Sequence, residues 1–218
     1  MTNEIDIGSI TNKKPKVKKK TKTKTKKDVK LGDKKPLNLI PPTDPRVQSA
    51  IAPFHDDMLA EYGYKDRKEL TEDMFNCMKS YAGVGLTCNQ VGLPFNYFCI
   101  GGHLDIESGL TLHCFNPIIV SASDETVVMK EGCLTFPFVW LALKRPRKVV
   151  VKYEDENGDL QEGHLDGMMS RIFQHEFDHI MGRVMIERAS KLKLDMAYKK
   201  AGKQLDRYRK RMAKINAK

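Results

Sequence analysis

The run Gln174-His175-Glu176-Phe177-Asp178-His179, closed soon afterwards by Gly182, constrains this chain more than any other feature. Residues four apart share one face of a helix, so His175 and His179 can hold a single metal ion between them. Glu176 then stands beside the first imidazole, within reach of a water on that ion, which is the arrangement of a metal-dependent hydrolase. Leu165, Met168, Ile172, His175 and His179 recur at steps of three and four, which predicts one helical stripe facing inward. A pair of satisfied core histidines has the same periodicity, so the spacing alone leaves both readings open.

A catalytic site of this kind takes three protein ligands and keeps a fourth position for water. One large metallopeptidase pattern continues to a third histidine after the glycine, but Met185 occupies that position here. Beyond Glu187 only Asp195 and Asp206 offer carboxylates, and both lie in a strongly basic segment. The third ligand is therefore sought upstream, among His164, His113, Cys114 and Cys133. Cys133 sits in Glu131-Gly132-Cys133-Leu134-Thr135-Phe136-Pro137, where the glycine predicts an unusual backbone and Pro137 an end to regular pairing.

With Gly83-Val84-Gly85-Leu86-Thr87-Cys88-Asn89-Gln90 before it, this makes three motifs in order, and the chain resembles the peptide deformylases. Asn116-Pro117, Lys144-Arg145-Pro146 and the stretch Tyr153 to Gly158 extend the match over residues 40 to 189. Two departures occur: Thr87-Cys88 stands where the motif has two alanines, and Thr135 where it has serine. Neither removes a group that the chemistry needs.

The resemblance implies that Cys133, His175 and His179 are the metal ligands, with Fe(II) as the first expectation and Zn(II), Ni(II) or Co(II) as alternatives. It implies Glu176 as general base and then acid, with the Gln90 side-chain amide and the Leu134 backbone N–H as oxyanion donors. The substrate it implies is the N-formylmethionyl end of a new polypeptide, with formate released. Val84, Gly85, Met168 and Ile172 are the expected wall of the methionine pocket. For Met168 and Ile172 ordinary core packing is the competing reading, and for Gln90 a turn cap. Trp140 reads either as a lid contact or as a buried anchor, and Asp178 as a supporting or surface carboxylate. Cys77, Cys88, Cys99 and Cys114 read as core; His55, His103, His113 and His164 receive no role. A general metallopeptidase and a basic RNA-binding protein without turnover are the alternatives.

Leu70, Met74, Met78 and Tyr81 predict an earlier helix, and residues 97–100, 112–115, 126–129 and 148–153 predict strands, with Asn157-Gly158 as a hairpin turn. That order predicts an α+β domain, with small antiparallel sheets packed around the central helix that carries the His-Glu-x-x-His motif. Charge divides the 218 residues into three parts. A Lys-rich tail, 1–37, is expected to be disordered, because it has too few apolar groups to offset its ordering entropy. The catalytic domain spans 38–189, and 190–218 form a basic amphipathic helix with a seam of Leu194, Tyr198, Ala201, Leu205, Tyr208, Met212 and Ile215. The basic ends predict a contact with the phosphates of a polyanion, RNA first, or alternatively a solvated face; for the C-terminal helix the resemblance implies docking on ribosomal RNA, against a seam that packs on the catalytic domain. No apolar run long enough for a transmembrane segment and no signal peptide are expected, and five cysteines without a disulfide spacing fit a reducing cytosol. A monomer in a bacterial or phage-infected cytoplasm is the expectation.

Overall fold

A computed structural model describes residues 31–102 and 110–216. The lysine run at 18–27 and His103 lie outside them. Helix α1 (Arg67–Ser80) opens where the Asp66 carboxylate accepts from the Glu69 N–H at 2.9 Å. Its buried face carries Leu70, Met74, Cys77 and Met78, whereas Tyr81 falls just past the end and is exposed, so it leaves the predicted stripe.

Five strands form one antiparallel sheet in the order β1 (Gly85–Thr87), β2 (Tyr97–Ile100), β3 (Leu112–Ala122), β6 (Lys148–Glu154), β7 (Leu160–Asp166). The predicted hairpin at Asn157-Gly158 joins the last two, with Gly158 at φ +84°. A separate hairpin pairs β4 (Thr126–Cys133) with β5 (Phe136–Pro146), a strand not predicted from sequence. Its ladder shifts register between Gly132↔Trp140 and Cys133↔Phe136, so residues 137–139 are looped out and Phe138 takes φ +67°. Pro137 thus interrupts the pairing rather than ending the strand. Gly132 has no left-handed backbone; what sets it apart is close packing, since an added Cβ would lie 3.1 Å from the Trp140 ring and press on it.

Helix α2 (Gly167–Ile180) carries the His-Glu-x-x-His motif between the two sheets. Eleven of its fourteen residues are buried, as a helix running through the middle of a domain requires. Met169, Ile172, Phe173 and Ile180 pack on the five-stranded sheet, with Phe173 edge-on to Phe98 at 5.0 Å. The predicted stripe is one residue too long: Leu165 belongs to β7, paired with Val149, because the chain turns into the helix only at Gly167 (φ +55°). Gly182 ends the helix as expected, at φ +69°.

Helix α3 (Lys191–Asn216) lies on β5, where Leu194, Ala197 and Ala201 join Phe136, Val139, Leu141 and Leu143. Farther along, the Tyr208 ring stands 5.9 Å from Phe138. The first half of the seam therefore packs on the catalytic domain, while Tyr198, Tyr208 and Ile215 keep about half their surface exposed. Residues 31–37, counted with the tail by composition, lie against the body: the Gly32 N–H donates to Ala60 O at 2.7 Å, and Lys34 bridges Glu69 and Asp73 at 2.8 Å each. Among the described residues no helix is long and apolar enough to cross a membrane.

Candidate metal centre and active site

Cys133 ends β4, where the register shift turns its side chain toward α2. Its Sγ and one nitrogen each of His175 and His179 lie within 4.8 Å of one another, and no other such cluster occurs among the described residues. The Cys133 Sγ to His179 Nε2 distance is 3.2 Å. Burial raises the Cys133 thiol, but the two facing imidazoles outweigh it and bring the thiol well below its usual value. A thiolate and two imidazoles converging on one point fit a divalent transition metal. His164 is exposed, and His113 bonds the Tyr97 hydroxyl at 2.7 Å, so neither joins the cluster. Cys77, Cys88, Cys99 and Cys114 are buried and free, as predicted.

Glu176 is buried one residue from His175. Burial raises its carboxyl above the ordinary range, with His175, His179 and Thr87 pulling partly in the other direction. Its Oε2 accepts from the Thr87 hydroxyl at 2.7 Å, and its Oε1 lies where a Cβ on Gly85 would come within 2.4 Å. Gln90 makes the turn cap expected of it and also reaches the Cys133 cluster. Its Oε1 accepts from the Thr87 N–H at 2.9 Å, capping the turn, while Nε2 donates to Thr135 Oγ1 at 3.0 Å and stands 3.6 Å from Cys133 Sγ.

Behind the cluster lies a charge network that sequence reasoning missed. Buried Glu131 receives Arg145 at 2.7 and 2.8 Å, Arg171 at 2.6 Å and His175 Nδ1 at 3.0 Å. Arg145 continues to Asp178 at 2.6 Å, and Arg188 binds the same carboxylate. Asp178 is thus a supporting carboxylate and not a surface one. Glu131 and Asp178 were visible as motif positions, and Arg145 as part of Lys-Arg-Pro, but their pairing joins segments far apart in the chain.

A cleft of about 700 Å³ opens over the cluster, lined by Val84, Gly85, Gln90, Leu134, Trp140, Met168, Ile172, His175 and Glu176 among others. Val84, Gly85, Met168 and Ile172, the residues expected for the methionine wall, all line this cleft. Met168 is 41% exposed, which excludes simple core packing, whereas Ile172 belongs to the core and also borders the cleft. Trp140, 56% exposed at the rim, is no buried anchor.

Residues 50–195 match the family described as polypeptide deformylase. The chain belongs to that family. It is 41% identical over 149 residues to a peptide deformylase of Wolbachia pipientis wMel, covering 65% of this chain and 83% of that protein. A Bartonella quintana peptide deformylase is 33% identical over 170 residues, covering 78% and 92%. The crystal structure of an Ehrlichia chaffeensis peptide deformylase superposes with a TM-score of 0.67 at 30% identity, covering 78% of this chain and 97% of that one. The α+β fold and the enzyme class read from the motifs are those of a peptide deformylase. Its reaction is the metal-dependent hydrolysis that frees the formyl group from the N-terminus of a new polypeptide. The metallopeptidase and non-enzymatic readings are set aside.

Proposed function

We propose that Cys133, His175 and His179 hold one divalent metal, Fe(II) ahead of Zn(II), Ni(II) or Co(II), and that Glu176 carries the proton in deformylation. The convergence of the three ligand atoms within 4.8 Å, beside a buried carboxylate at the floor of an apolar cleft, carries this reading. Bound by these three residues, such a metal would supply Lewis acidity and make water more acidic. Glu176 takes the proton of the attacking water and returns it to the leaving amine, and burial, which raises its carboxyl, favours the protonated half of that cycle. Gln90 Nε2 and the Leu134 N–H donate to the oxygen that gains charge. Val84, Met168 and Ile172 receive the methionine side chain, and Gly85 leaves room for the carboxylate. Cys133→Ala and His179→Ala should each lose metal and formate release from a formylmethionyl peptide. Stoichiometric metal in both variants would refute the ligand set. Metal analysis of anaerobically purified protein tests Fe(II), whose activity should decay in air faster than that of the nickel form. Five free cysteines, one of them an oxidisable thiolate, favour a reducing compartment, which we take to be the cytoplasm.

We further propose that the monomeric protein contacts ribosomal RNA through its basic ends. The last turns of α3 support this reading: Arg207, Arg209, Lys210, Arg211 and Lys214 are exposed there. Because the first half of α3 packs on β5, the informative truncation removes 206–218 and not the whole helix. It should weaken co-sedimentation with ribosomes at low salt and keep peptide activity; unchanged co-sedimentation would overturn the contact.

A further inference from the structure

The Thr87 hydroxyl is the one polar side chain that bonds the Glu176 carboxylate among the described residues, and it stands where the motif has alanine. Both residues are buried, so no bulk water competes for the contact. Thr87 is held firmly. It ends the edge strand β1 opposite Phe98, and its N–H donates to Gln90 Oε1 at 2.9 Å. The hydroxyl has two acceptors within reach, Glu176 Oε2 at 2.7 Å and the Glu176 carbonyl at 3.3 Å, and the shorter bond goes to the charged group. Gly85, two residues earlier on the same face of β1, confines the other oxygen, Oε1.

We infer that Thr87 is a positioning residue that holds Oε2 of Glu176, so that the catalytic proton is taken up and given back at Oε1. In the first half of the cycle an O–H bond of the attacking water breaks and the proton joins Oε1. In the second half that bond breaks and the proton passes to the nitrogen of the departing amine. The carboxylate ends as it began, and Thr87 keeps its own proton throughout. A carboxylate free to rotate could instead store the proton at an oxygen turned away from the amine. This inference rests on the assignment of Glu176 above.

The test compares Thr87→Val, which keeps the shape and removes the hydroxyl, with Thr87→Ser, which keeps the hydroxyl, in the full metal-loaded chain. With a short formylmethionyl peptide, Thr87→Val should lower kcat about ten-fold with KM within two-fold, and Thr87→Ser should recover most of the loss. If Thr87→Val folds poorly, Thr87→Ala against Thr87→Ser reads the same difference. Equal losses in the Val and Ser variants, a loss expressed in KM, or a kcat for Thr87→Val within two-fold of the parent would overturn it. Glu176→Gln is measured alongside: an active Glu176→Gln enzyme sinks the assignment of the proton carrier and this inference together. An inactive Glu176→Gln enzyme with an unimpaired Thr87→Val enzyme sinks this inference alone.

Discussion

The Glu131 carboxylate sits 3.0 Å from Nδ1 of His175. With that nitrogen donating to Glu131, the other is left as the ligand atom, and the ring cannot turn. Glu131→Gln should therefore weaken metal binding about 10–100-fold. Competition with a chelator measures the affinity, and activity should return on adding metal.

Gly85→Ala places a Cβ 2.4 Å from Oε1 of Glu176, closer than any real contact allows. The carboxylate must move, and a displacement of about 1 Å can cost about 100-fold in rate. We expect kcat to fall by about that factor while metal content stays stoichiometric, because the three atoms nearest the added Cβ all belong to Glu176 and none to Cys133, His175 or His179. Metal analysis together with steady-state kinetics separates the two effects.

Arg145→Leu leaves Glu131 and Asp178 short of the cation between them, in a buried setting. Breaking such a pair by removing one partner costs about 3–5 kcal/mol. The urea midpoint should fall accordingly at an unchanged slope. A shift of less than about 1 kcal/mol would show that Arg171 and Arg188 already suffice.

Acid should unfold the protein through the same network. Burial raises the carboxyls of Glu131 and Asp178, but the paired arginines, with His175 at Glu131, more than reverse this and leave both below their ordinary range. The unfolded chain then binds more protons than the folded one at mildly acid pH. Their contribution is full above the unfolded value of about 4 and is lost as pH falls toward the folded values. Stability of the metal-loaded protein should be level from about pH 7 to 5 with respect to these groups and drop below about pH 4, as equilibrium unfolding at each pH would show.

The Cys133, His175 and His179 cluster and the neighbouring Glu176 were legible because a short helical spacing and a Cys-containing motif carry them locally. The strand β5 was not. Val139, Leu141 and Leu143 alternate inward as a strand should, but two prolines bracket the run and the next inward position is the charged Arg145. Only the partners Glu131 and Asp178, fourteen and thirty-three residues away, make that position tolerable. Leu165 misled for the opposite reason: its spacing fits the helix, yet a turn at Gly167 assigns it to the sheet. Thr87 looked like a neutral departure from the motif, and only the fold brings its hydroxyl to Glu176, eighty-nine residues on.

Trp140 lies flat over Gly132 at the mouth of the cleft, and it is the only tryptophan in the chain. The enzyme thereby carries its own optical probe at the entrance to its active site. Its emission reports one environment, half open to solvent, with no second indole to confuse the signal. Any peptide that covers the rim dries that ring and shifts its colour, so occupancy can be followed by light in unlabelled protein, whether or not turnover takes place.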